Sequence, residues 1–101
     1  MSYELVFRKE ALQDITNSMD WYDEQKTGLA QRFYEDLDKK LQAVVANPFA
    51  YSIRYASVRC APVDDFPYLI HYHIEQERHH VVVLGIIHTS RDPRTGQERL
   101  P

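Results

Sequence analysis

Residues Val81–Ile87, Val-Val-Val-Leu-Gly-Ile-Ile, are the longest apolar run in the chain, and they constrain the fold more than any other segment. The run is far short of the ~20 residues that a membrane-crossing helix needs. Extended to Thr89 and rich in β-branched side chains, it predicts a central strand buried on both faces. A strand with one solvated face would instead alternate apolar and polar residues. Such a strand needs neighbours. Tyr68–Ile74 alternates Tyr68, Ile70, Tyr72 and Ile74 with Leu69, His71 and His73, and Glu75–Arg78 is a polar turn between the two. Ser57–Val63 reads as a further short strand, and Pro62 predicts an edge position for it. Tyr3–Phe7 is another short alternating strand.

Between the first strand and the rest lie two segments with helical spacing. In Lys9–Lys26, Leu12, Ile15, Met19 and Tyr22 recur every three or four residues, with Ala11 and Ser18 beside them. Trp21 falls ~120° around from that stripe, at its edge or outside it. Exposed tryptophans are favoured interface anchors. In Leu29–Ala46, Leu29, Phe33, Leu37, Leu41 and Val44 form one stripe, widened by Ala30, Tyr34 and Val45. Gly28 suits a tight connection between antiparallel helices, and Asn47-Pro48 ends the second one. The order is therefore β-α-α-β-β-β. The fold class is α+β, with a helical hairpin on one face of a small, mainly antiparallel sheet and the other face free to meet a partner. Ser90–Pro101, polar and containing Pro93 and Gly96, reads as a tail ordered only where something holds it.

Size and charge narrow the function classes. A chain of 101 residues makes one domain. Such a chain buries a core but has little volume for a deep active site, so chemistry belongs on a shallow cleft. The single cysteine, Cys60, excludes an internal disulfide and points to a reducing cytoplasm. Met1–Lys9 carries no signal-peptide pattern. The net charge of −3 does not suggest a nucleic-acid binder, and it is unevenly spread. Through Tyr51 nine acids face six bases; from Ser52 onward six acids meet six arginines, with all five histidines and no lysine. With three glycines the chain has no phosphate-cradling loop, so nucleotide hydrolysis has no support.

Two motifs carry a resemblance. Phe66-Pro67-Tyr68 leads into Leu69-Ile70-His71-Tyr72, and Val83–Thr89 leads into His88-Thr89-Ser90-Arg91-Asp92-Pro93. Together with the element order and Asn47-Pro48, FPY and H-x-x-R-D-P resemble the RelE/ParE superfamily of toxins from bacterial type II toxin–antitoxin modules. The resemblance spans Tyr3 to Pro93. It implies one toxin domain, residues 1–93, followed by a polar tail, residues 94–101. It also implies a growth-inhibiting toxin neutralised by a cognate antitoxin, of the kind tied to plasmid stabilization. The motifs look closer to the ParE-like branch, which acts on DNA gyrase, than to the RelE-like branch, which cuts mRNA on the ribosome. Asp64-Asp65 departs from the basic or apolar stretch that often precedes FPY.

The chemistry of the second half leaves alternatives open. A metal-independent ribonuclease needs a base, a cation for the phosphorane and an acid for the leaving oxygen. Arg59, His71, His73, His88 and Arg91 are the candidates. The absence of lysine from residues 52–101 weakens RNA affinity. The leading expectation is thus a non-enzymatic toxin that meets a protein target through Tyr68, His88 and Arg91. The alternatives are a ribosome-dependent mRNA endoribonuclease and an inactive module that only binds antitoxin. Trp21, Val58 and Cys60 are the expected antitoxin contacts. His71/His73 and His79/His80 resemble ligand pairs, but nothing fixes a third and fourth ligand, so no metal or other cofactor is expected. No membrane partner is expected, whereas a larger toxin–antitoxin assembly is.

Overall fold

The computed structural model describes residues 2–91 and 94–100. Five strands form one sheet in the order β1-β5-β4-β3-β2: β1 Glu4–Phe7, β2 Ile53–Tyr55, β3 Val58–Pro62, β4 Tyr68–Glu75 and β5 His80–His88. The helices are α1 Lys9–Gln25, α2 Leu29–Ala46 and a short α3 Arg94–Gln97; a 3-10 turn covers Pro48–Ala50. β1 pairs with β5 in parallel, and the other neighbours pair antiparallel. The α+β class, the helical hairpin and the mainly antiparallel sheet agree with the expectation.

α1 and α2 cover one face. Phe33, Leu37 and Val44 from α2 pack with Ile70, Tyr72, Val81, Val83 and Ile86 from the sheet. An aromatic cluster closes one end of this core: Phe33 lies 5.2 Å from both Tyr22 and Phe66, centroid to centroid, and 5.3 Å from Tyr68. The buried Tyr72 hydroxyl donates to the Pro48 carbonyl at 2.7 Å, which ties the turn after α2 to the sheet. The stripe on α1 centres on Ala11, Ser18 and Tyr22 rather than on Leu12, which is 52% exposed. Tyr34, expected to widen the α2 stripe, is also exposed.

β5 is buried along Val81–Ile87, as its composition predicts. A bulge explains how both faces fill: His71 pairs with Gly85 and Tyr72 with Val83, so Leu84 is the extra residue. Val81, Val83 and Ile86 join the helix-side core, while Val82 and Leu84 join a second cluster with Val58 and Cys60.

Two expectations are corrected here. β3 is not an edge; the three-residue β2, legible only as an unremarkable Ile-Arg-Tyr, pairs outside it. Nor is the far face left free. α3 and the residues after it lie back against that face, with Leu100 packed on the second cluster. A Cβ at Gly96 would overlap the Tyr55 hydroxyl, and one at Gly85 would overlap the Arg99 guanidinium. Both glycines permit this close approach of tail to sheet. The end of the H-x-x-R-D-P motif, Asp92-Pro93, lies outside the described residues.

Candidate functional site

The surface around the C-terminal end of β5 collects most of the sequence-predicted residues. Its geometry starts from a missing strand. β1 stops where Phe7 pairs with Val83, so the outer edge of β5 from Leu84 onward needs other partners for its backbone. Asp14 of α1 supplies one, accepting the Ile86 N–H at 3.0 Å. Arg99 supplies another, donating from Nη1 to the Leu84 carbonyl at 3.1 Å and to Asp14 Oδ2 at 2.6 Å. Both side chains of this ion pair are largely buried, at 14% and 10% exposure. It fastens the C-terminal segment across the sheet.

Beneath that segment lies His71, 3% exposed, with Nδ1 at 2.7 Å from the Tyr55 hydroxyl. Burial, reinforced by the Arg99 and Arg54 guanidiniums, pushes its pKa down to about 4. The ring is therefore neutral at pH 7 and a weak base. Burial also pushes the Tyr55 phenol up to about 12 and the Cys60 thiol up to about 11.

Three cavities meet at the lip of β5. One of about 240 Å³ opens on the far face, lined by Arg54, Tyr55, His71, His88 and Arg91 among others. A second of about 240 Å³ lies between α1 and β5, with Trp21, Tyr68, His88 and Arg91 in its wall. A third, of about 280 Å³, adds Pro67 and Tyr22 to Trp21, Tyr68 and His88. His88 is common to all three. Its ring meets Tyr68 edge to face at 5.2 Å. The Ser90 N–H donates to His88 Nδ1 at 3.1 Å, which leaves Nε2 as the protonated nitrogen of the neutral ring.

A protein-family model described as the ParE toxin of the type II toxin–antitoxin system, parDE, matches residues 5–93. The chain belongs to the ParE toxin family. Solved structures share the fold of this ParE-family chain. A chain from the chromosomal ParDE toxin–antitoxin system of P. aeruginosa has a TM-score of 0.73 at 18% identity, covering 88% of this chain and 98% of that one. A mutant of the E. coli toxin RelE in the free state has a TM-score of 0.71 at 22% identity, covering 98% and 95%. A chain of the intact E. coli RelBE toxin–antitoxin complex has a TM-score of 0.60 at 20% identity, covering 89% and 100%. A comparison with curated proteins gives no match.

In this ParE-family chain the ribonuclease candidates do not converge as a set. His71, His88 and Arg91 border one cavity. Arg59 belongs elsewhere: it donates to the Tyr51 carbonyl at 2.6 Å and lies over the Phe49 ring. His73 is partly buried away from that cavity, its pKa lowered chiefly by burial, and its Nε2 has no hydrogen-bond partner among the described residues. Of the expected antitoxin contacts, Trp21 is 53% exposed. Val58 is fully buried in the second cluster, and Cys60 beside it is 6% exposed, at the wall of the far-face cavity, so neither is an open contact in this conformation. Asp64 and Asp65 pair with Lys40 and Arg32 of α2, which gives that acidic step a structural partner on each side. Among the described residues no three His, Cys, Asp or Glu side chains form a group able to hold a metal ion. No helix among them is long and apolar enough to cross a membrane.

Sequence reading missed Asp14, Arg99, Tyr55 and Arg54. Asp14 and Arg99 are 85 positions apart, and no local pattern signals so distant a pair.

Proposed function

We propose that this type II toxin arrests growth by binding a protein target, DNA gyrase, through the patch formed by Tyr68, His88 and Arg91, and that a cognate antitoxin neutralises it with the adjoining Trp21 among its contacts. The observation that carries a non-enzymatic reading is the state of His71. The buried histidine best placed to accept a proton is hydrogen-bonded to Tyr55, made a weak base by burial and covered by the C-terminal segment. Arg59, which would supply a cation, is committed to the Tyr51 carbonyl. An exposed aromatic–cationic patch remains, and tryptophan and arginine are the side chains that most often anchor protein interfaces.

The test is expression of the chain in growing bacteria, with plasmid supercoiling and mRNA integrity followed together. Loss of supercoiling with intact mRNA is expected, weakened by Arg91→Ala. The shared cavity of His71, His88 and Arg91 favours one second reading, a ribosome-dependent ribonuclease. Early mRNA cleavage that His88→Ala abolishes would establish that reading and overturn the first. Absence of any growth defect would leave only an antitoxin-binding module.

A further inference from the structure

Most arginines of this chain are already engaged. Arg8 pairs with Glu10, Arg32 with Asp65, Arg78 with Glu75 and Arg99 with Asp14, while Arg59 is bound to a carbonyl. Arg54 and Arg91 are different. Both are exposed, neither has an ion-pair partner among the described residues, and both line the same far-face cavity. Two guanidiniums without an ion-pair partner among the described residues line one cavity, with the Thr89 side of its wall adding polar character, and make a site for an anion with several acceptor oxygens. Arg91 also borders the adjoining cavity, whose wall holds Trp21 and Tyr68. A ligand crossing the lip of β5 therefore meets cations on one side and the exposed Trp21 ring beside a partly buried Tyr68 on the other.

We infer that this lip binds single-stranded DNA, with phosphates at Arg54 and Arg91 and an unstacked base against Trp21. The pairing of guanidinium with aromatic platform is what sequence-tolerant single-strand binding requires. An acidic peptide would use the cations but leave the Trp21 ledge without a role. A duplex keeps its bases stacked and cannot offer one. The sugar goes unread: His71, the group in this cavity suited to a 2′-hydroxyl, is 3% exposed with its Nδ1 held on the Tyr55 hydroxyl under Gly96. The net charge of −3 makes the binding weak and dependent on low salt. The site shares Arg91 with the surface proposed for the protein target and the Trp21 ledge with the proposed antitoxin contact, and only Arg54 lies outside both, so oligonucleotide binding and growth arrest are measured separately.

The test uses the full chain and an end-labelled oligothymidylate of about eight nucleotides, followed by anisotropy. Trp21 is the single tryptophan, so its intrinsic fluorescence reports contact directly. Saturable binding with quenching is expected at about 50 mM salt. Two phosphate contacts at a slope of about −0.7 each predict roughly sevenfold weaker binding at about 200 mM salt. Arg54→Ala and Arg91→Ala should each weaken binding and flatten that slope. Trp21→Ala should weaken binding roughly tenfold and leave the slope unchanged. All three positions are exposed, and unchanged thermal melts would verify that the variants fold. Any of four results overturns the inference: no anisotropy change at low salt, binding insensitive to both arginine variants, a requirement for RNA over DNA, or equal competition by hexaglutamate or inorganic phosphate.

Discussion

On the helix side of the sheet, Phe33, Leu37, Ile70 and Tyr72 are almost fully buried, and long amphipathic helices cover them. On the other side, Val58, Cys60, Val82 and Leu84 are buried just as well, yet part of their cover is a segment of a few residues with Leu100 as its apolar contact. The first cover belongs to two helices that carry their own periodicity and hydrogen bonds. The second is held, among the described residues, by single contacts such as the Asp14–Arg99 pair, the Arg99 bond to the Leu84 carbonyl, Leu100 and the fit of Gly96 over Tyr55 and His71. Burial alone therefore says little about how firmly a face is closed. What differs is how many independent interactions must fail before it opens.

That contrast can be broken from either side. Phe33→Ala should have the largest effect, about 3–5 kcal/mol, because it empties the middle of the aromatic cluster. Chemical denaturation would show it, and a cost under about 1 kcal/mol would mean that the helix side is not the principal core. Asp14→Ala should cost about 3 kcal/mol, since it strands a buried guanidinium and the Ile86 N–H together. Proteolysis of the C-terminal segment should speed up in that variant while helix content by circular dichroism persists. Unchanged proteolysis would show that the pair does not fasten the segment.

Acid should act on the second face first. The folded pKa of His71, about 4, lies below its ordinary value of 6.5, so the unfolded chain binds the extra proton. The stability tied to the neutral ring is complete above pH ~6.5 and is lost as pH falls through about 4, by roughly 3 kcal/mol in all. His71→Gln should flatten the melting temperature across that window; an unaltered pH profile would remove His71 as the cause. Leu100→Ala should cost about 1 kcal/mol, because the side chain is only partly buried. The smallest effect is expected at Trp21→Ala, within about 0.5 kcal/mol in thermal melts, as this residue faces solvent. A larger loss would turn Trp21 into a structural residue and weaken its assignment as a contact.

The helices were legible because their stripes repeat within a few residues of each other, and α2 spans Leu29–Ala46 as its pattern predicts. The patch of Tyr68, His88 and Arg91 was legible because the antiparallel pairing of β4 with β5 sets Tyr68 opposite His88. The ribonuclease set was not legible as a set. Arg59 and His71 lie on neighbouring strands, but the pleat sends alternate residues to opposite faces, and side-chain partners then decide what each does.

By itself the sequence determined the β-α-α start, the later antiparallel strands, the helix-covered face and the buried central strand, and put Trp21 at or beyond the edge of its stripe, all from periodicity within one segment; β2 and α3 were not legible. Tertiary structure alone decided that β2 takes the edge, that the bulge at Leu84 divides β5 between two cores, and that the polar tail returns to seal His71. The return of the tail depends on backbone groups left over where β1 ends, and on partners such as Asp14 and Arg99 that only folding brings within hydrogen-bond distance, while β2 gains the opposite edge by pairing with β3.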